Sequence, residues 1–112
     1  MDGHYVLVST ADMDGDWCLY SQFTDPDGPV PTTFTYDDSV TLVGNTEEVS
    51  EAISKHSDLF ELTTVKFLGQ AEFRQAFTTT EDTPTISGTL RFMTCDGSRC
   101  LPPKEIAFSA TL

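Results

Sequence analysis

The chain has 112 residues, enough for a single domain (1–112) with one modest core drawn from eight Phe, three Tyr, one Trp and a 38% apolar fraction. Eighteen acidic against six basic residues give a net charge of −12. That argues against nucleic acid as a partner, because phosphate contacts need Lys and Arg, and against anionic lipid surfaces.

The same charge favours solubility and encounter with a basic docking face. No run approaches the roughly 18 apolar residues of a transmembrane helix, so no membrane insertion of this segment is expected. Met1-Asp2-Gly3-His4 lacks the basic and apolar regions of a signal peptide. A role outside the cytoplasm would therefore make these residues a mature or excised segment.

Along the chain, the signals are of strand type. His4–Thr10 is rich in β-branched and aromatic residues, Asp12–Asp16 is a turn, and Trp17–Phe23 is a second apolar run. Together they read as a hairpin. Thr24–Pro31 holds three prolines and a glycine and reads as an irregular connection. Thr32–Tyr36 and Ser39–Gly44 are short strands. Thr46–Phe60 is the one helix-compatible segment, with Thr46 as a cap and Val49 and Ile53 four apart, and a loop is the equal alternative. From Val65, apolar residues at Phe67, Ala71, Phe73 and Phe77 alternate with Lys66, Gln70, Glu72 and Arg74, the pattern of a long half-buried strand. Thr78–Thr85 is a polar turn. Ile86–Cys95 and Glu105–Leu112 are the last strands. Seven or so short strands predict an all-β, immunoglobulin-like antiparallel β-sandwich, with a small barrel as the runner-up.

Chemistry concentrates between the last two strands. Cys95 and Cys100 flank Asp-Gly-Ser-Arg, and Pro102 and Pro103 follow. Asp96-Gly97 is a favoured turn dipeptide that folds the chain back and brings the two cysteines towards bridging distance. The prolines stiffen the exit. Three readings are open. A structural staple closing so small a loop contributes roughly 2 kcal/mol or less. A zinc site needs two further ligands, and His4, His56 and Cys18 form no second close pair. A redox pair fits the short, constrained loop best. Asp96 and the acidic chain, offset by Arg99 and Lys104, give a thiolate little help, so the pair suits attack by a more acidic partner thiol. No Ser/His/Asp triad or paired-carboxylate motif is supported.

Four segments in order resemble one family. Asp14–Gln22 (DGDWCLYSQ), Gly28–Phe34 (GPVPTTF), Phe67–Phe73 (FLGQAEF) and the Cys95–Pro103 loop (CDGSRCLPP) are similar to motifs of the N-terminal periplasmic domain of the thiol:disulfide interchange protein DsbD and its relatives. The resemblance covers nearly the whole chain. It implies an immunoglobulin-like domain in the periplasm, belonging to an inner-membrane protein. Cys95 and Cys100 would cycle between disulfide and dithiol without a cofactor. A thioredoxin-like domain would donate electrons, and periplasmic thiol-disulfide proteins, such as cytochrome c maturation factors, would accept them. Phe67, Leu68 and Gly69 match the family's cap segment, whose aromatic shields the disulfide, and Arg99 and Pro102 join them as docking candidates. The other role open to Phe67 is the core of its strand.

The chain also departs from the family. Val65 and Lys66 stand where members carry acids before the cap aromatic, and Cys18 replaces a residue that is usually not cysteine. Cys18 reads as a half-buried inert thiol, Trp17 as a core or inter-sheet filler, and His4 and His56 as solvated. The reading from a different class is a non-enzymatic immunoglobulin-like binding or structural domain with a structural hairpin disulfide.

Overall fold

A computed structural model describes residues 3–38, 40–80, 85–96 and 98–111. The expected turn residues Gly97 and 81–84, and the strand ends Ser39 and Leu112, lie outside them. The described residues form an all-β protein of ten strands: β1 (Gly3–Asp12), β2 (Cys18–Tyr20), β3 (Thr33–Tyr36), β4 (Thr41–Glu48), β5 (Ile53–Ser57), β6 (Leu62–Leu68), β7 (Gln70–Thr79), β8 (Thr85–Phe92), β9 (Thr94–Cys95) and β10 (Lys104–Thr111). They assemble into three antiparallel sheets with orders β1-β7-β4, β10-β8-β3 and β5-β6-β2-β9.

The alternating segment expected from Val65 onward is present, but Gly69 breaks it. Gly69 has φ +78°, a left-handed conformation that glycine adopts without strain. There the chain leaves β6 in one sheet and enters β7 in another. The Met13 amide bonds the Gly69 carbonyl at 2.7 Å and pins the crossing. β7 then runs ten residues with Ala71, Phe73, Gln75, Phe77 and Thr79 buried. Its inward face builds the core: Phe73 meets Phe34 of β3 at 5.1 Å between centroids and Phe67 of β6 at 5.7 Å. Leu19 and Ala71 complete the cluster.

Two local expectations are corrected. His4–Thr10 and Trp17–Phe23 do not pair as a hairpin. β1 pairs with β7 over its whole length, from Gly3↔Thr79 to Asp12↔Gln70, while β2 pairs with β6 and β9. The turn at Gly15 (φ +58°) carries the chain between sheets. A turn signal marks a change of direction and does not select the partner, and ten residues of β7 outcompete a three-residue strand.

The segment Thr46–Phe60 holds no helix. Its first residues finish β4 and Ile53–Ser57 forms β5. Glu48, two residues after the expected cap Thr46, accepts bonds from the Ser21 hydroxyl (2.6 Å) and the Gln22 amide (2.8 Å).

The interior also holds a glutamine. Gln75, 2% exposed, donates to the carbonyls of Gly44 (3.2 Å) and Ala76 (2.9 Å), and its Oε1 accepts from the Thr46 hydroxyl (2.8 Å). These bonds fill the register shift between Val43 and Glu47 in β4, where ladder groups would lack partners.

Candidate functional site: a three-sulfur cluster

Leu19 and Phe67 face the aromatic core, so alternation turns Cys18 and Tyr20 to the other face of the β5-β6-β2-β9 sheet. β9 is two residues long and adds Cys95 to that same face, directly opposite Cys18. Cys18, Tyr20 and Cys95 form a second buried cluster, with Phe60, Met93 and Cys100 packed against it. The Phe60 ring meets Tyr20 edge-on at 6.2 Å. The Val30 amide bonds the Met93 sulfur at 3.4 Å, and the Thr32 hydroxyl bonds the Tyr20 carbonyl at 2.5 Å. The proline-rich connection is thereby tied against this face.

Cys95 and Cys100 are joined as a disulfide, with Cα atoms 4.0 Å apart. The two sulfurs are not equivalent: Cys95 is 1% exposed, whereas Cys100 is partly open. The pair spans the hairpin between β8 and β10, as expected, and the ladder resumes after the prolines at Lys104↔Phe92. Asp96 shapes the loop. Its Oδ1 accepts from the amides of Ser98 (2.9 Å) and Arg99 (2.8 Å), while its own amide bonds the Arg99 carbonyl (2.9 Å). The Ser98 amide first, then the Arg99 amide, holds the Asp96 carboxyl below its usual range. Leu101 bonds back to the Thr94 carbonyl at 3.0 Å.

The candidates gathered from the sequence separate into two groups. Cys95, Cys100, Arg99 and Pro102 sit together at the loop. Arg99 is 72% exposed at its side chain and stacks over Trp17, 5.6 Å from the ring centroid. Trp17 is therefore a half-buried prop of the loop and not a core filler. Leu68 is 48% exposed and pairs with Cys18 across β2 and β6, and Leu101, 50% exposed, adds a second apolar side chain beside the pair. Phe67 is 1% exposed and belongs to the Leu19–Phe73 core, not to the sulfur cluster, so of its two open roles it occupies the core one. Gly69 is the strand break. His4 and His56 are exposed, as expected.

Three features escaped the sequence. Cys18 is 2% exposed, fully and not half buried, and it adjoins the disulfide. Lys55 and Lys66 line a cleft of about 230 Å³ with Tyr20 and Asp96, bringing two of the six basic residues beside the loop. The Tyr20 phenol is pushed well above its ordinary range, by burial first and then by a hydrogen bond with the Cys18 side chain. Alternation gave the facing of Cys18, but no local signal reports a pairing across 77 residues. No group of three or more His, Cys, Asp or Glu side chains arranged to hold a metal ion occurs among the described residues. No family model, curated protein or solved structure matches the chain.

Proposed function

We propose that this chain is a thiol-disulfide interchange domain of the DsbD N-terminal type, working in the periplasm and relaying reducing equivalents from a thioredoxin-like donor to periplasmic thiol-disulfide proteins. The observation that carries the reading is the asymmetry of the disulfide, with Cys95 buried and Cys100 reachable at the sheet edge. The four ordered motifs support it as well.

In the reaction, a donor thiolate attacks Cys100 Sγ. The Cys95–Cys100 bond breaks, and Cys95 leaves as a thiolate that takes up a proton. A second donor thiol then attacks the mixed disulfide, leaving a dithiol here and a disulfide on the donor, a two-electron transfer. The reverse sequence with an oxidised acceptor returns the pair to the disulfide. No cofactor enters either step. Leu68, Leu101 and Pro102 offer apolar contact to the docked partner, and Arg99 offers a cation.

The test is redox titration combined with trapping on a thioredoxin-like donor. A potential near the thioredoxin range, with a mixed disulfide trapped on Cys95→Ser and none on Cys100→Ser, is the expected result. A potential below about −300 mV, or no trapped adduct, marks the bridge as structural and overturns the relay.

A further inference from the structure

Cys18 has no part in the relay, yet it stands closer to the disulfide than any sequence argument places it. The hydrogen-bond pattern defines how close. The Ser21 amide bonds the Val65 carbonyl, so Ser21 and Leu19 turn their backbone groups towards β6 and Cys18 turns its own towards β9. The Asp96 and Leu101 amides bond the Arg99 and Thr94 carbonyls, so Cys95 lies between bonded positions on that side and turns its backbone groups towards β2. Cys18 and Cys95 are therefore a hydrogen-bonded antiparallel pair, with Cα atoms about 5.5 Å apart and both side chains on one face. That Cα separation lies within the roughly 4.4–6.8 Å that a disulfide spans, and the Cβ atoms, about 5.5 Å apart at a hydrogen-bonded site, must close by about 1 Å to bridge. Cys95 thus has two cysteine neighbours, Cys100 on one side and Cys18 on the other.

We propose that Cys18 is the third sulfur of this centre and exchanges with the disulfide, giving a buried Cys18–Cys95 bridge and a free, accessible Cys100 thiol. The Cys18 thiol loses its proton and its sulfur attacks Cys95 Sγ. The Cys95–Cys100 bond breaks, and Cys100 leaves as a thiolate that takes up a proton. One disulfide and one thiol are present before and after, so no oxidant or reductant is needed. Tyr20 lies two residues from Cys18 along β2, on the same face and in the same buried cluster. The isomers differ in what they present at the edge: one shows a disulfide open to partner thiols, the other a nucleophilic Cys100 thiol open to partner disulfides. This exchange needs no partner and does not depend on the relay.

The test uses the oxidised full chain alone, carrying one disulfide and one thiol. It is incubated folded with iodoacetamide at pH 7 and pH 9, then mapped by non-reducing peptide mass spectrometry. The expected result is label accumulating on Cys100 together with a Cys18–Cys95 linked peptide, faster at pH 9, and no native labelling in Cys18→Ser. Label on Cys18 alone, or an unlabelled thiol with Cys95–Cys100 intact, overturns the exchange. As an independent arm, Cys100→Ser is oxidised with diamide and its thiols are counted after denaturation. Exchange geometry predicts none left in a monomer, and two left overturns it. Failure of donor trapping would leave both arms readable, so the two proposals fall separately.

Discussion

The guanidinium of Arg99 lies over the indole of Trp17, 5.6 Å from the ring centroid. This contact joins the disulfide loop to the start of β2, across most of the chain's length. Trp17 is the single tryptophan, so its emission reports on the loop. Reduction of Cys95–Cys100 is expected to shift and quench or enhance that emission, and Arg99→Ala is expected to remove most of the change. The stability cost of Arg99→Ala is expected to stay at about 0.5–1 kcal/mol, because the Arg99 side chain is solvent-exposed. Fluorescence during reduction and a denaturant titration check both statements.

Asp96 organises the same loop as a carboxylate. Because its folded pKa lies below the ordinary value of about 3.9, its contribution is complete above that value and is lost as pH falls through the lower folded one. The amide resonances of Ser98 and Arg99 are expected to move with falling pH at a midpoint below the ordinary carboxylate value. Asp96→Asn is expected to abolish that titration in an NMR pH series.

Glu48 ties β4 to the segment after β2 by accepting from Ser21, itself fully buried, and from Gln22. Glu48→Ala leaves the Ser21 hydroxyl and the Gln22 amide without this acceptor. A loss of about 1–3 kcal/mol is expected, read as a lower melting temperature.

Phe67→Ala separates the two roles that the sequence left open. A core role predicts a loss of about 3–5 kcal/mol in denaturant titration. It also predicts no increase in the rate at which a small thiol attacks the disulfide of the folded protein, because the ring packs with Leu19 and Phe73 and not over Cys100.

Two of the three tyrosines are held above their ordinary range, Tyr20 by burial and Cys18, and Tyr36 by burial against a smaller opposing effect of its bond with Thr46. For a raised pKa the stabilising contribution is whole below the unfolded value, about 10, and is lost as pH rises beyond it. Stability is expected to fall above pH 10, with the 295 nm absorbance of the Tyr20 and Tyr36 phenolates rising at higher pH in the folded protein than in the unfolded chain.

Much of the architecture was legible because it follows from periodicity. Alternation through Phe73 and Phe77 identified the inward face of β7, and the Asp-Gly dipeptide with the prolines marked the β8–β10 connection and the approach of its two cysteines, while the structure shows the bond between them. Gln75 shared the parity of Phe73 and Phe77, yet its polar side chain hid its burial, because the bulge that satisfies it lies on another strand. The helix-compatible run failed for a similar reason: Glu47 and Glu48 fit a first helical turn locally, but bonds to Ser21 and Gln22 exist only across the fold.

The order of strands in a sheet depends on contacts far apart in sequence, and here the tertiary structure alone decided it. Residue type and spacing determined by themselves that the protein is built largely of strands, which face of the β7 segment is apolar, and that Cys95 and Cys100 approach each other in a short turn. Cys18 lies 77 positions from Cys95, and nothing between them encodes their meeting. Gly69 redirects one long strand between two sheets, β2 is left facing β9, and a thiol that looked isolated becomes the neighbour of the disulfide.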